Sequence, residues 1–373
     1  MTALVHLIAG ARPNFMKIAP IVRAFQSRPS DFQFQIIHTG QHYDRQMSDV
    51  FFEELGIPHP DQHLDAGGGS HAEQTAKIMT AYEQVVAAER PDCTTVVGDV
   101  NSTVACSLVA TKMHIPVAHV EAGLRSGDRR MPEEINRLVT DAISDIFFTT
   151  ERAGLENLLA EGKPISAVHF VGHVMVDNLL YQLSRLNDLH EDSLEGRELK
   201  SQLGRYGVVT MHRPSNVDDP RVLSGIIDAL TRIADDLPLV FPVHPRTRKN
   251  MDAAGITVPS SISLIGPLSY MAFLNMWKDA SLVLTDSGGL QEETTALGVP
   301  CLTMRENTER PVTVSEGTNQ LVGTDPVTIE RAAREILAGA VPAGRRPELW
   351  DGSAAVRIVD ELARFLGGGS AAD

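Results

Sequence analysis

The chain has 373 residues, 43% of them hydrophobic and 22% charged, which is typical of folded globular proteins and not of disordered ones. Its formal net charge of −15 disfavours nucleic acid or an anionic membrane as the main partner, because both are negatively charged. One hydrophobic core rarely serves this length, so the sequence predicts two domains.

The N-terminus and the cysteines bear on the cellular setting. No basic segment precedes a long apolar stretch, and no window approaches 18 apolar residues, so we expect a cytoplasmic protein without a membrane span. Cys93, Cys106 and Cys301 lack metal-ligand spacing and are expected to be reduced core thiols. His59 and His63 lie four residues apart, but neighbouring prolines argue against a helical metal site, and we expect no bound metal.

In chain order, short apolar runs alternate with longer amphipathic stretches, which is the pattern of βαβ units and parallel sheets. The strands predicted in the first half are Val5–Ile8, Gln35–Thr39, Thr94–Val97, Val117–Val120, Ile146–Thr149 and Val168–Val171. Helices are predicted near 14–27, 72–89, 102–112, 133–144 and 151–160.

The second half repeats the pattern after a helical, charged crossover near 173–204. Its predicted strands are Gly207–Thr210, Leu239–Val243, Ser263–Ile265, Leu282–Thr285 and Cys301–Thr303, with helices near 221–235, 269–278, 289–297 and 327–338. We therefore predict an α/β protein with two Rossmann-like domains that face each other across a cleft. The predicted domains are 1–172 and 173–353, followed by a closing helix at 354–366 and a flexible tail at 367–373.

A glycine turn follows the first strand and opens a helix that carries Arg12 and Lys17. A helix start with two cations suits a phosphate group, although a plain turn with solvated basic side chains explains the segment equally well. The spacing matches neither a P-loop nor a dinucleotide fingerprint, so no nicotinamide or other cofactor is expected.

A second candidate phosphate site follows the strand Leu282–Thr285. Ser287, Gly288 and Gly289 precede a helix, and small residues let a diphosphate approach the backbone N–H groups there. Glu293, one turn further on, is placed to accept hydrogen bonds from the hydroxyls of a ribose. A helix cap followed by helix-favouring acids is the alternative, but two glycines would weaken such a helix.

Asp99, Glu121 and Glu133 belong to strand-end segments of the first half, so their carboxylates can converge. Like charges in one site push one carboxylate towards its protonated state, which yields an acid and a base from similar residues. Each carboxylate alone is better explained as a cap or an ion-pair partner; the set favours catalysis. In the second half, His212 and Arg213 follow a strand and can bind a leaving diphosphate.

Nine segments occur in one order between residues 10 and 311: GARPNFMK, TGQHYD, GDVNST, HVEAGLRSGD, MPEEINR, TMHRPSN, PVHP, TDSGGLQEE and TMRENTERP. Together they resemble the non-hydrolysing UDP-N-acetylglucosamine 2-epimerase family. The resemblance implies a fold shared with one large class of sugar-nucleotide glycosyltransferases, a UDP-sugar substrate, a homodimer and no cofactor. It also implies loss of UDP as the C2 proton is removed, a 2-acetamidoglucal, and return of UDP after protonation of the opposite face.

The resemblance further implies roles for individual residues. Acid/base carboxylates map onto Asp99, Glu121 and Glu133, and nucleotide contacts map onto Arg12, His212, Ser287, Gly288, Gly289 and Glu293. Lys17 and Arg310 match basic positions near the active cleft. Arg213 and His244 match one side of a neighbouring pocket, which holds a second substrate molecule in the allosteric branch of the family.

That second pocket is incomplete in this sequence. Gln41 and His42 of its Gln-His-x-Gln segment are present, but Asp44 replaces the second glutamine and Gly68 stands at the position of an arginine. Asp44 would repel a diphosphate and Gly68 offers no charge, so we expect no obligatory activation by substrate.

The sequence leaves the exact substrate and reaction open. The GARPNF and TGQHYD variants also resemble the branch that includes epimerases of diacetamido-uronic acid nucleotides, so the substrate is UDP-N-acetylglucosamine or such a relative. The residues are also compatible with a hydrolysing epimerase, a glycosyltransferase of the same fold or a UDP-sugar sensor, although a sensor would need no converging acids.

Overall fold

The computed structural model describes residues 2–10, 12–40, 52–188, 194–340 and 344–367, without the side chains of Arg12 and Asn187. The chain forms two compact units, which we call unit 1 (Met1–Asn178 with Glu348–Asp373) and unit 2 (Leu179–Pro347). Each unit contains one parallel sheet with helices, so the predicted α/β class with two Rossmann-like halves is confirmed.

Within its described residues, unit 1 contains seven parallel strands: β1 (Ala3–Ala9), β2 (Phe32–His38), β3 (Gln62–His63), β4 (Cys93–Val97), β5 (Val117–Val120), β6 (Ile146–Thr149) and β7 (Val168–Phe170). Their order in the sheet is β3-β2-β1-β4-β5-β6-β7. The helices are α1 (Arg12–Gln26), α2 (His71–Ala88), α3 (Asn101–Lys112), α4 (Pro132–Ile143) and α5 (Arg152–Ala160). Helix α6 (Val174–Asp188) follows β7 and continues into unit 2.

Unit 2 contains β8 (Gly207–Thr210), β9 (Leu239–Pro242), β10 (Ile262–Ile265), β11 (Leu282–Thr285), β12 (Cys301–Thr303) and β13 (Asn319–Leu321), in the order β10-β9-β8-β11-β12-β13. Its helices are α7 (Arg197–Leu203), α8 (Pro214–Val217), α9 (Pro220–Ala234), α10 (Pro245–Ala253), α11 (Tyr270–Trp277), α12 (Gly288–Leu297), α13 (Pro311–Ser315) and α14 (Pro326–Leu337).

The central strands were predictable because they are buried on both faces and read as continuous apolar runs. Every residue of β5 and β11 is buried, for example. The two strands absent from the prediction, β3 and β13, are edge strands with polar sequences. Helix α10 was also missed, because it is rich in charged residues and lacks a clear apolar face.

Both sheets have the doubly wound order, which changes direction between β1 and β4 in unit 1 and between β8 and β11 in unit 2. Ligands of such sheets bind at the carboxyl ends of the strands beside this switch point. Gly10 and Asp99 follow β1 and β4, and His212 and Ser287 follow β8 and β11. The candidate residues are therefore concentrated where the topology of each unit favours a site.

The C-terminal segment packs on unit 1. Helix α15 (Ala354–Gly367) buries its apolar face in the core that also contains α1, and Trp350 Nε1 donates to the carbonyl of Thr150 at 3.1 Å. The predicted second domain extended to residue 353, whereas unit 2 ends at Pro347 because these contacts hold the following residues on unit 1. His173, at the predicted crossover, is buried with its ring edge-on to Trp350, their centroids 5.1 Å apart.

Within the described ranges, no helix is both long enough and apolar enough to span a bilayer. Cys93, Cys106 and Cys301 are buried and unbonded to one another. Burial raises the pKa of the Cys93 thiol to about 12.

A single carboxylate fastens the start of the C-terminal helix to α6. Asp177 accepts hydrogen bonds from the backbone N–H groups of Ala354 and Ala355, at 3.2 and 2.7 Å. Burial raises the pKa of Asp177 to about 6, and the two N–H donors only partly offset this effect. Because the usual value is 3.8, the folded protein binds this proton more tightly than the unfolded chain does.

The contribution of Asp177 to folding is therefore greatest at low pH and is lost as pH rises from about 4 through about 6. Asp177→Asn removes the titration and keeps one acceptor oxygen. We compare the free energies of unfolding of the variant and the parent at each pH. The difference, variant minus parent, should increase by about 1 to 3 kcal/mol when the pH is raised from about 4.5 to 7. Urea unfolding at both pH values measures the difference, with the exposed Asp252→Asn as control. A difference that does not change with pH would contradict the assignment.

Candidate active site

A cavity of about 230 Å³ lies at the switch point of unit 1. Its lining combines two carboxylates with amide, hydroxyl and imidazole groups, from Gly10, His71, Gln74, Asp99, Val100, Asn101, Ser102, Pro132, Glu133 and Asn136. The structure thus brings together Asp99 and Glu133, which are 34 positions apart in the sequence. The volume is of the order of the lower end of small-molecule sites and suits a single sugar ring.

Gly10 forms one wall of this cavity for a packing reason. A Cβ atom at this position would lie 2.2 Å from the hydroxyl oxygen of Ser102, and that hydroxyl also bonds to Thr39 at 2.5 Å. Only glycine allows β1 to end so close to the start of α3.

Asp99 is held by two residues of α4. A guanidinium N–H of Arg137 donates to the Asp99 carboxylate, and the side-chain amide of Asn136 donates to its backbone carbonyl at 2.9 Å. Arg137 is buried, whereas the Asp99 side chain keeps 28% of its exposure. Arg137 and Asn136 therefore fix the orientation of Asp99, and its side chain remains open to the cavity.

Glu121 is buried, is not among the residues that line the cavity, and has a strained conformation. Its φ is +66°, the left-handed region that costs a non-glycine residue free energy. Lys17 Nζ donates to its Oε2 at 2.5 Å. A Cβ atom on Gly98 would lie 3.2 Å from that nitrogen and 3.5 Å from that oxygen, so the Lys17–Glu121 pair packs directly against the residue before Asp99.

The two glutamates that begin α4 have different environments. Glu133 is exposed and lines the cavity. Glu134 is buried, pairs with Arg137 at 2.7 Å and accepts backbone N–H groups from Ser126 and Gly127. Burial alone would raise the pKa of Glu134, but these donors outweigh it and lower the pKa. Glu133 is thus available to a ligand, and Glu134 supports the loop before α4.

A buried charge network underlies these residues, and their sequence pattern did not reveal it. Asp141 of α4 lies 2.6 Å from His119 Nδ1, pairs with Arg125 at 2.8 Å and accepts the N–H of Gly123 at 3.1 Å. Burial opposes ionisation of Asp141, but His119 and Arg125 outweigh it and lower its pKa. The second ring nitrogen of His119 lies 2.9 Å from the carbonyl oxygen of Gly98. His119 and Asp141 therefore connect the segments that carry Asp99, Glu121 and Glu133.

In unit 2, the start of α12 is open to an anion. Ser287 stands at the N-cap but makes no capping bond with its side chain. A Cβ atom on Gly289 would meet nothing within 4 Å, and one on Gly288 would meet only Glu309 Oε1 at 3.3 Å. Folding alone does not require the second glycine, and the free space lies over backbone N–H groups at the positive end of a helix.

Asp286 organises the neighbouring strand end, although its sequence context predicted no role for it. Its fully buried carboxylate accepts the backbone N–H groups of His212 and Arg213 at 2.9 and 2.8 Å. His212 Nδ1 also lies 3.0 Å from the other carboxylate oxygen, while 46% of the imidazole remains exposed. Asp286 therefore holds His212 at the switch point with one ring edge towards solvent.

Arginines surround the start of α12. Arg310 pairs with Glu292 at 2.5 Å, and Arg305 pairs with Glu309 at 3.0 Å. Burial lowers the pKa of Arg213, and the nearby Arg305 lowers it further. Among the described residues, Nη1 of the buried Arg305 has no hydrogen-bond partner. Arg305 is a candidate anion contact that sequence reasoning missed, because it was not distinguished from the rest of the TMRENTERP segment.

Two other predicted residues make contacts within unit 2. Glu293 is buried and accepts the hydroxyl of Tyr270 at 2.9 Å. Burial, together with Glu293, raises the pKa of Tyr270 well above its usual value. His244 caps α10 by accepting the N–H of Arg246 at 3.2 Å, and its ring centroid lies 5.9 Å from that of His212.

Some predicted residues lie outside the described structure, namely the side chain of Arg12 and residues Gln41, His42 and Asp44. Gly68 is described and exposed, with φ of +74°. The expected absence of activation by substrate stays a prediction. Among the residues that the structure covers, no three histidine, cysteine, aspartate or glutamate side chains are grouped to hold a metal ion.

Comparison with solved structures supports the two-sheet α/β fold of a sugar-nucleotide enzyme. This chain is similar to the Methanocaldococcus jannaschii UDP-GlcNAc 2-epimerase, whose crystal structure contains UDP-GlcNAc and UDP. The TM-score is 0.84 and the sequence identity is 39%, over 97% of this chain and 99% of that chain. The glycosyltransferase of kitacinnamycin shares only the fold. Its TM-score is 0.58 and its sequence identity is 12%, over 97% of this chain and 99% of that chain.

Sequence comparison defines the family. The family model described as UDP-N-acetylglucosamine 2-epimerase matches residues 23–363. The UDP-N-acetylglucosamine 2-epimerase of M. jannaschii is 41% identical over 89% of this chain and 91% of that protein. The UDP-2,3-diacetamido-2,3-dideoxy-D-glucuronate 2-epimerase of Pseudomonas aeruginosa is 40% identical over 96% of this chain and 99% of that protein. The chain belongs to the UDP-N-acetylglucosamine 2-epimerase family and is an enzyme of that family.

The buried network makes a prediction about stability. Asp141→Asn leaves Arg125 and His119 without their shared carboxylate, and removing one partner of a buried ion pair costs about 3 to 5 kcal/mol. We expect a loss of that size in the free energy of unfolding of unit 1. Urea unfolding, with hydrogen exchange of peptides from residues 117–125, measures it.

Asp218→Asn is the matched control, because Asp218 pairs with Arg246 at an exposed site. Such surface pairs contribute about 1 kcal/mol or less. Equal losses in the two variants would show that the Asp141 network does not stabilise unit 1.

Proposed function

We propose that this enzyme inverts C2 of UDP-N-acetylglucosamine and forms UDP-N-acetylmannosamine, by elimination and readdition of UDP. Unit 1 supplies the acid/base groups, and unit 2 supplies the groups that bind the nucleotide. The observation that carries the proposal is the cavity of unit 1, in which Asp99 and Glu133 share one space and the Lys17–Glu121 pair packs against the adjacent Gly98.

The carboxylates perform the proton transfers in this mechanism. One ionised carboxylate removes the C2 proton while the bond between C1 and the diphosphate breaks, because that proton is only weakly acidic. A protonated carboxylate then delivers a proton to the opposite face of C2 in the glucal. Inversion needs groups on both faces of the ring. Asp99 and Glu133 line the cavity from two different segments, and Glu121, on a third segment, packs with Lys17 against Gly98.

The diphosphate leaves with its charge stabilised by unit 2. The N–H groups at the start of α12 and the guanidinium groups of Arg213 and Arg305 are preorganised donors, and His212, which Asp286 orients, is a further proposed contact. Such donors lower the barrier when charge develops on the leaving group. Arg12, Lys17 and Arg310 remain proposed contacts from the resemblance, and Glu293 is the proposed ribose acceptor. UDP must stay bound until readdition, since effective concentration makes the second step possible.

The cavity favours a neutral sugar over a uronic acid. Among the described residues, the lining includes Asp99 and Glu133 but no lysine or arginine, so a carboxylate at C6 would be placed near like charges. These like charges favour the N-acetylglucosamine nucleotide, although the two relatives named for these substrates are almost equally similar to this chain, at 41% and 40% identity. A homodimer and a cytoplasmic location are further proposals that rest on the family resemblance.

The substrate proposal is tested with both nucleotides on the full chain. We expect UDP-N-acetylmannosamine from UDP-N-acetylglucosamine, with kcat/KM at least about tenfold above that for the diacetamido-glucuronate nucleotide. Chromatography of the products measures both reactions. Preference for the uronate nucleotide would reverse the substrate assignment. Accumulation of free N-acetylmannosamine would instead indicate a hydrolysing enzyme, and transfer to an acceptor a glycosyltransferase.

The carboxylate roles are tested by nearly isosteric changes. Asp99→Asn, Glu121→Gln and Glu133→Gln should each lower turnover at least about 10²-fold, the scale of lost acid/base catalysis. UDP affinity, measured by calorimetry, should stay within about threefold of the parent, because none of these carboxylates is a proposed nucleotide contact. Near-normal turnover in all three variants would exclude the mechanism.

Gly289 gives a prediction in which stability and binding change in opposite directions. Gly289→Ala should stabilise the fold by about 0.5 to 1 kcal/mol, because alanine favours the helix and the site is sterically open. The methyl group would occupy the space proposed for the diphosphate, so the affinity for UDP should fall at least about tenfold.

Urea unfolding and calorimetry with UDP measure the two effects of Gly289→Ala. Gly367→Ala is the matched control, since it makes the same change in open space in α15 and should leave UDP binding unaltered. Unchanged UDP affinity in Gly289→Ala would place the diphosphate elsewhere.

A further inference from the structure

His119 has an environment that determines its protonation. The side chain is fully buried on β5, with Nδ1 2.6 Å from a carboxylate oxygen of Asp141 and Nε2 2.9 Å from the carbonyl oxygen of Gly98. A backbone carbonyl can only accept a hydrogen bond, so Nε2 must carry a proton. Nδ1 then carries a second proton unless Asp141 itself is protonated.

The other contacts of Asp141 favour its ionised form. One carboxylate oxygen accepts the N–H of Gly123 at 3.1 Å and pairs with Arg125 at 2.8 Å, and the other faces His119. The guanidinium of Arg125 is partly buried and also pairs with Glu161 at 2.7 Å, so a protonated Asp141 would remove one of its two carboxylate partners. With Asp141 ionised, His119 donates from both ring nitrogens.

We propose that His119 is a positioning residue for the acid/base set, held as a doubly protonated imidazolium in the core of unit 1. This inference rests on the proposed function for its catalytic consequence, but not for the protonation itself. One N–H fixes the carbonyl of Gly98, the residue before Asp99. The other fixes Asp141, which lies on the same helix as Glu133 and holds the loop that follows Glu121.

The charges around His119 explain why it needs the second proton. The elements packed against β5 bring Glu134, Arg137 and Asp141 from α4, Cys106 from α3 and Cys93 from β4, and the segment after β5 brings Glu121 and Arg125. With Asp99, Lys17 and the Arg125 partner Glu161 included, the carboxylates of this group number five and the lysine and arginine side chains three: Asp99, Glu121, Glu134, Asp141 and Glu161 against Lys17, Arg125 and Arg137. An imidazolium at His119 supplies a fourth positive charge and reduces the negative excess.

The protonation state can be observed directly by nitrogen NMR of the full chain labelled in its 13 histidines. The His119 signals are identified by their absence in His119→Gln. We expect both ring nitrogens to carry protons in the folded enzyme at about pH 7. A His119 ring nitrogen without a proton under these conditions would overturn the proposal.

The positioning role is tested by kinetics of the same variant. Glutamine has no charge and cannot reproduce both fixed N–H donors, so kcat should fall by about tenfold to 100-fold while KM and UDP affinity change less than about threefold. His114→Asn is the control, because His114 is exposed and adopts a left-handed φ that asparagine tolerates. An unchanged kcat in His119→Gln would overturn the positioning role.

The proposed function and this inference fail in different ways. If the parent protein did not turn over UDP-N-acetylglucosamine, the proposed function would be wrong, and the NMR result would still decide the state of His119. If His119→Gln did not fold, the NMR measurement on the parent would still decide the proposal. The His119 signals would then be assigned through their contacts with Asp141 and Gly98.

Discussion

The arrangement of the candidate site depends on two buried side chains that lie one helical turn apart on α4. Arg137 and Asp141 are separated by four residues, so they project from the same face of the helix. Arg137 binds Asp99 after β4, and Asp141 binds His119 on β5 and the loop beyond it. Buried charges are stable only when they are paired and hydrogen-bonded, so these contacts are mutually dependent. They can also sustain the left-handed backbone of Glu121, which would otherwise be unfavourable.

Unit 2 has a similar arrangement of a buried aspartate and a strand-end loop at its own switch point. There, the buried Asp286 after β11 accepts the backbone N–H groups of His212 and Arg213 after β8. In both units, a buried aspartate thus fixes a strand-end loop beside the place where the doubly wound sheet changes direction. The topology opens each site, and the aspartate makes its loop rigid enough to present functional groups. Exposed groups such as Glu133 and the edge of His212 are then free to meet a ligand.

The sequence predicted the central strands because burial on two faces leaves an apolar signature, but it did not predict the edge strands β3 and β13, which are polar. Residues near strand ends were recognisable because they interrupt apolar runs. His119 and Asp141 were not, since a polar residue within a strand or helix has no visible partner until the fold is formed. A histidine inside the otherwise apolar β5 and the four-residue spacing of Arg137 and Asp141 were the available signals. The packing of α15 on unit 1 depends on long-range contacts such as that between Asp177 and Ala355.

In the proposed mechanism, the C2 proton is removed and replaced while UDP remains available for readdition. Proton NMR of UDP-N-acetylglucosamine incubated with the enzyme in deuterated buffer follows both events. We expect the C2 proton signal to be lost at the rate of epimerisation, and both UDP-linked epimers to carry deuterium at C2. Epimers that retain the original C2 proton, or deuterated sugar that accumulates free of UDP, would rule this mechanism out.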